Sequence, residues 1–88
     1  MKIKSGFIVR QIGDSHMAVP VGERANDMSK LIALTETSAF LWNLLEENQT
    51  EAALVNALTA EYEVSGETAA ADVHTFITTL REQGWLDE

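Results

Sequence analysis

Residues 34–45 decide the fold; they read Leu-Thr-Glu-Thr-Ser-Ala-Phe-Leu-Trp-Asn-Leu-Leu. Before this stretch the apolar residues come in short strand-like runs, and after it they recur with the period of a helix. Thr35 is a residue type that caps helix N-termini, and Glu36 follows in the first turn, where the helix dipole favours an acid. Apolar side chains then cover most of the helix circumference. This pattern predicts a strand-to-helix transition whose first helix is central and buried.

Three strand-like runs precede this helix, at residues 7–12, 16–21 and 30–34. The first two are separated by Gly-Asp-Ser at residues 13–15, a composition typical of turns, which predicts a hairpin. Pro20 cannot donate a ladder hydrogen bond, so it is expected at the end or edge of the second strand. A polar stretch then leads into the third strand.

Two further helices are predicted after the first. Thr50 and Ser65 are their expected N-caps, and Gly84 is placed to end the last helix in the left-handed conformation. The apolar stripe of the third helix consists of Ala69, Ala70, Val73, Phe76, Ile77 and Leu80. The sequence therefore predicts an α+β fold in one domain over residues 1–88. Its architecture is a three-stranded antiparallel sheet followed by three helices.

The composition argues against several function classes. The chain has 88 residues, a formal net charge of -8 and no cysteine, which excludes disulfides and thiolate metal sites. From residue 31 onward Arg81 is the only lysine or arginine, so the clustered cations that bind nucleic acid are missing. No run approaches the roughly 20 apolar residues of a membrane span or forms a signal-peptide core. These features predict a cytoplasmic protein with neither a nucleic-acid nor a membrane partner.

No motif in the chain predicts catalysis. Paired carboxylates in an evident pocket and a Gly-rich phosphate loop are both missing from the pattern. His16 and His74 lack the spacing of metal ligands. We therefore expect no catalytic residues, no metal and no cofactor.

An ordered set of segments resembles the PqqD-like family over nearly the whole chain. No segment is diagnostic alone, but their order and spacing are specific. The segments are residues 6–10 (Gly-Phe-Ile-Val-Arg), 19–23 (Val-Pro-Val-Gly-Glu), 34–45, 62–64 (Tyr-Glu-Val) and 72–86, the last reading Asp-Val-x-x-Phe-Ile-x-x-Leu-x-x-x-Gly-Trp-Leu. The chain departs from the family where Thr35 replaces an asparagine, Ser38 replaces a glycine, and residues 28–30 replace an aromatic-Asn-Gly lead into the third strand.

The resemblance implies a RiPP recognition element, which is a winged helix-turn-helix-like domain that performs no chemistry. Such a domain binds the leader segment of a ribosomally synthesised precursor peptide as an added strand against the third strand. The apolar side chains of the leader then face the third helix. The domain presents the peptide to a modifying enzyme, often a radical SAM protein.

The expected peptide-binding residues lie on the third strand and the third helix. They are Lys30, Leu31, Ile32, Ala33 and Leu34, followed by Asp72, Val73, Phe76, Thr79 and Gln83. An open strand edge offers unpaired N–H and C=O groups, and pockets for alternate side chains give specificity. On this hypothesis Ile32→Pro removes an edge donor.

Several alternatives stay open at this level. The margin of the third helix that faces the strand is either the one with Phe76 or the opposite one with His74 and Arg81. Asp72 either contacts the ligand or pairs with Arg10. The alternative functions are a non-catalytic winged-helix protein–protein interaction domain and a DNA-binding regulatory domain. A homodimer, formed through the third strand or by swapping through residues 22–29, is a further alternative.

Overall fold

A computed structural model of the protein describes residues 1–22 and 32–88. In chain order the elements are β1 (Lys2–Ile3), β2 (Phe7–Ile12), β3 (Ser15–Pro20), β4 (Ile32–Leu34), α1 (Glu36–Leu44), α2 (Glu51–Glu61), α3 (Gly66–Gln83) and β5 (Leu86–Asp87). A three-stranded antiparallel sheet in the order β2-β3-β4 precedes the three helices, which confirms the predicted α+β fold. A second sheet of β1 and β5 was not predicted.

The hairpin of β2 and β3 forms where the turn composition predicted it. Gly13 has a φ of 63°, which suits the first position of a two-residue turn, and Ile12 pairs with Ser15 across it. On the other side of β3, Ala18 pairs with Ile32 and His16 with Leu34. The two-residue turn thus sets the register of β2 against β3.

All three helices begin at the predicted caps. The side chains of Thr35, Thr50 and Ser65 each accept a hydrogen bond of 3.1 Å from the backbone N–H three residues later. Caps of this kind contribute about 1 kcal/mol each to stability. Gly84 ends α3 with a left-handed φ of 75°, as the sequence predicts.

The helices cover one face of the sheet and enclose an aromatic cluster. Trp42 and Trp85 are almost fully buried, with ring centroids 6.0 Å apart at 85°. The ring of Phe7 in β2 packs against the Trp85 ring, with 4.3 Å between the two ring centroids. The backbone N–H of Lys4 donates to the Trp85 carbonyl at 2.8 Å, so the two ends of the described chain are joined beside this cluster.

None of the helices within residues 1–22 and 32–88 combines the length and the apolar character needed to span a membrane.

Candidate functional site

A groove with a volume of about 500 Å³ runs between α3 and β4. Its lining comprises Ile32, Ala33, Leu34, Thr35, Thr37, Ser38, Asp72, Thr75, Phe76, Thr79 and Leu80. The margin of α3 that carries Phe76 therefore faces the strand, and the margin with His74 and Arg81 faces away from it. This resolves the alternative that the helical wheel left open.

The open edge of β4 forms one wall of the groove. In an antiparallel pair, hydrogen-bonded residues alternate with residues whose N–H and C=O point away from the partner strand. The backbone N–H of Val21 donates to the Gly6 carbonyl at 2.8 Å. This bond extends the β2–β3 ladder by one residue pair, and it fixes the phase of the ladder, that is, which of the alternating pairs are hydrogen-bonded. Alternate residues of β3 direct their N–H and C=O groups to β2 and to β4. On this phase the residue pairs hydrogen-bonded between β3 and β4 are those of Ile32 and Leu34. The N–H and C=O of Ala33 then point to the open edge.

This phase corrects the expectation that Ile32 supplies an edge donor. Ile32 lies opposite Ala18 in a hydrogen-bonded position, so its N–H is turned toward β3. A proline at this position would damage the internal sheet. Within the described part of β4, Ala33 is the residue whose N–H is free for an added strand.

The other wall is a stripe of α3 with an apolar floor. Leu80 is fully buried and Phe76 is only 8% exposed, and the half-buried Ile32 packs against the same core. Thr79 also lines the groove, and its hydroxyl donates a hydrogen bond to the Thr75 carbonyl at 3.0 Å. From Asp72 to Thr79 the helix rises about 10 Å, the length of about three extended residues. The wall therefore matches β4 in length.

Asp72 gives the groove a negative charge that no other described residue pairs with. Its side chain is exposed, and within residues 1–22 and 32–88 it makes neither a hydrogen bond nor an ion pair. Arg10 is not its partner there, since Arg10 lies on the outward side of β2. Asp72 is thus placed to meet a basic group of a ligand.

Some of the expected peptide-binding residues lie together at the groove, and the others do not. Ile32, Ala33, Leu34, Asp72, Phe76 and Thr79 all line the groove. Val73 is fully buried in the core, and Gln83 is exposed one turn beyond Thr79, outside the groove lining. Lys30 and Leu31 lie outside the described residues.

Sequence reasoning missed Thr35, Thr37, Ser38, Thr75 and Leu80 as groove residues. Helical spacing could have found Thr75, which lies three residues after Asp72 and four before Thr79. The three residues around the α1 cap carried no such signal, because their proximity to α3 depends on how α1 packs. Their hydroxyls already bond to one another, with Thr35 contacting Ser38 at 2.9 Å.

The two basic side chains on the opposite margin of α3 each lie beside a glutamate. His74 lies 3.5 Å from Glu51, and Arg81 binds Glu88 through two hydrogen bonds of 3.0 and 2.7 Å. The hydrogen bonds with Glu88, and then its charge, raise the pKa of Arg81. The basic residue of α3 is therefore already engaged, which argues against the alternative of a DNA-reading helix. Within the described part of the chain, no three His, Asp or Glu side chains are placed together to hold a metal ion.

Residues 16–86 match the family model of coenzyme PQQ synthesis protein D (PqqD). The chain belongs to the PqqD family. No match is found among curated proteins.

Two solved structures share the fold of this PqqD family member. One is TbiB1 in complex with the TbiA(beta) leader peptide, with a TM-score of 0.75 and 25% identity over 99% of this chain and 95% of that chain. The other is lasso peptide synthetase B1 complexed with the leader peptide, with a TM-score of 0.73 and 23% identity over 96% of this chain and 93% of that chain. Both structures contain a leader peptide.

Proposed function

We propose that this chain binds the leader segment of a ribosomally synthesised precursor peptide as an added strand along β4 and presents it to a modifying enzyme. The observation that carries the proposal is the open β4 edge at Ala33, which faces the apolar wall of α3 across the groove. Membership of the PqqD family and similarity to TbiB1, whose structure contains a leader peptide, support it.

The groove has the features that strand addition needs. The N–H and C=O of Ala33, which point away from β3, would supply sequence-tolerant main-chain hydrogen bonds. Alternate side chains of an added strand point to opposite sides, so every second one would enter the groove and contact Phe76 or Leu80. A basic residue of the peptide would meet Asp72. The bound segment would thus be selected for apolar residues at alternate positions and for a positive charge.

The domain acts by binding, without a reaction of its own. The radical SAM class of the modifying enzyme and the cytoplasmic location follow from the resemblance and the sequence, and they stay predictions. The same holds for residues 1–88 as one peptide-binding domain, for the binding roles of Lys30 and Leu31, and for the absence of a cofactor.

The direct test is a titration of isotopically labelled protein with the precursor leader peptide encoded beside its gene. We expect the largest amide shifts at residues 32–34 and along residues 72–79. Millimolar peptide suffices, because even about 4 kcal/mol of binding free energy is detected at that concentration. Shifts concentrated at His74 and Arg81 instead would place the peptide on the opposite side of α3 and contradict the proposal.

A further inference from the structure

The sheet has an apolar face that the helices do not cover. Alternation along the strands places one set of side chains away from α1, α2 and α3. This set, the outer face, consists of Ile8, Arg10, Ile12, Ser15, Met17, Val19 and Ala33. Ile8 and Ile12 are 37% and 61% exposed, and they are the large hydrophobic residues that stand exposed within the described residues. None of the four large apolar residues of this face belongs to the core that the described residues form.

Arg10 lies in the middle of this apolar patch. It is opposite Met17, with Ile8 and Ile12 two residues away on either side. Within residues 1–22 and 32–88 its guanidinium has no ion-pair partner, although the whole chain carries a net charge of -8. Arginine and methionine among aliphatic side chains are typical of the centre of protein interfaces. The complementary surface is apolar and contains a carboxylate.

A second copy of the chain fits this face poorly. A two-fold contact sets the same patch against itself, so the two Arg10 side chains would meet near the centre of the interface. Like charges brought together in a desolvated contact are unfavourable. A different protein with an acidic group satisfies both the apolar residues and Arg10.

The outer face is continuous with the edge that would carry the peptide. Ala33 belongs to this face and lies opposite Met17, while its N–H points to the open edge. The alternate side chains of an added strand that do not enter the groove would lie beside Ala33 on the outer face. A protein docked there would contact the sheet and the bound peptide together.

We propose that the outer face docks the modifying enzyme, through an apolar enzyme surface that carries an acidic side chain, and that the enzyme contacts the bound leader peptide in the same interface. The inference rests on the proposed function. Because binding free energies are reciprocal, the leader strengthens enzyme binding by the same factor by which the enzyme strengthens leader binding.

The experiment measures two affinities of the full chain, one for the precursor peptide and one for the modifying enzyme encoded beside it. Ile12→Asp is expected to weaken enzyme binding by about tenfold or more, because it places an unpaired carboxylate in an apolar contact, and to leave peptide binding unchanged. Arg10→Met, which keeps an apolar side chain, is expected to weaken enzyme binding more at low salt than at high salt. Ala60→Asp, which places the same charge on an exposed position of α2, is the matched control.

If the unaltered chain and the Ile12→Asp and Ala60→Asp variants all bind the enzyme with equal affinity, the proposed docking site is overturned. The proposal of peptide binding would not be affected by that result. Failure of the unaltered chain to bind the precursor peptide would overturn the proposed function, and this inference with it. Thermal unfolding of each variant checks the fold, which the 61% exposed Ile12 is not expected to affect.

Discussion

Helix α3 separates two hollows of similar size that differ in chemistry. The groove toward β4 has a volume of about 500 Å³, and the hollow toward α2, with His74 and Arg81, about 400 Å³. The groove has an apolar floor and, as far as residues 1–22 and 32–88 show, an open strand edge and an unpaired carboxylate. In the other hollow His74 and Arg81 of α3 each lie against a glutamate, Glu51 and Glu88 respectively. Volume alone would not separate them; we propose the groove as the peptide site because, among the described residues, the edge groups of Ala33 and the charge of Asp72 have no partner.

The largest effect is expected from Ala33→Pro, which tests the strand edge of the groove. Proline removes the N–H that points to the open edge, and its ring obstructs an approaching strand, while the hydrogen bonds of Ile32 and Leu34 to β3 are retained. We expect peptide affinity to fall by about tenfold or more. The affinity is measured by fluorescence anisotropy of a labelled leader peptide.

Ala33→Val is the matched control for this change, because it keeps the N–H and suits a strand. If the valine variant binds the peptide with near-normal affinity and the proline variant does not, the effect is due to loss of the main-chain N–H. Unchanged binding by the proline variant would show that the peptide does not pair along β4.

The edge donor on β4 also shows which features could be predicted from the sequence and which could not. The caps at Thr35, Thr50 and Ser65 were predictable because a cap depends on four adjacent residues. The free donor on β4 was assigned to Ile32, because alternation shows which residues share a face but not the phase of the ladder. That phase depends on the turn at Gly13 and on pairing with β3, both distant along the chain. The same limitation hid the pairing of β1 with β5, since two-residue strands carry no periodic signal.

A smaller effect is expected from Asp72→Asn, which tests the unpaired charge of the groove. If a basic residue of the leader meets Asp72, affinity should fall by about two- to fivefold at low salt, the range of a partly exposed ion pair. The loss should shrink at high salt, because screening weakens the pair in the unaltered protein. Peptide titrations at two ionic strengths measure this difference.

Glu82→Gln removes the same charge from an exposed position of α3 outside the groove lining. It therefore controls for the general effect of the net charge on a basic peptide. Equal losses in the two variants would remove Asp72 from the binding site and weaken the contrast between the hollows.

The smallest effect is expected from Glu88→Gln, in the hollow where charges are paired. Its hydrogen bonds with Arg81 lower the pKa of Glu88 below the usual value for a glutamate. A lowered pKa in the folded state means that the pair stabilises the fold above the unfolded pKa of about 4.3 and that this contribution is lost as pH falls through the folded pKa. Both side chains are about half exposed, so the contribution is small.

Urea unfolding at pH 7 should therefore show the Glu88→Gln variant slightly less stable than the unaltered protein, and the difference should shrink as pH falls through the lowered pKa of Glu88. Peptide affinity should be the same for both proteins, because the Arg81–Glu88 pair lies on the side of α3 that faces away from β4. A loss of peptide affinity without a loss of stability would mean that the paired charges contact the ligand. In that case pairing within the fold would no longer distinguish a structural charge from a binding one on α3.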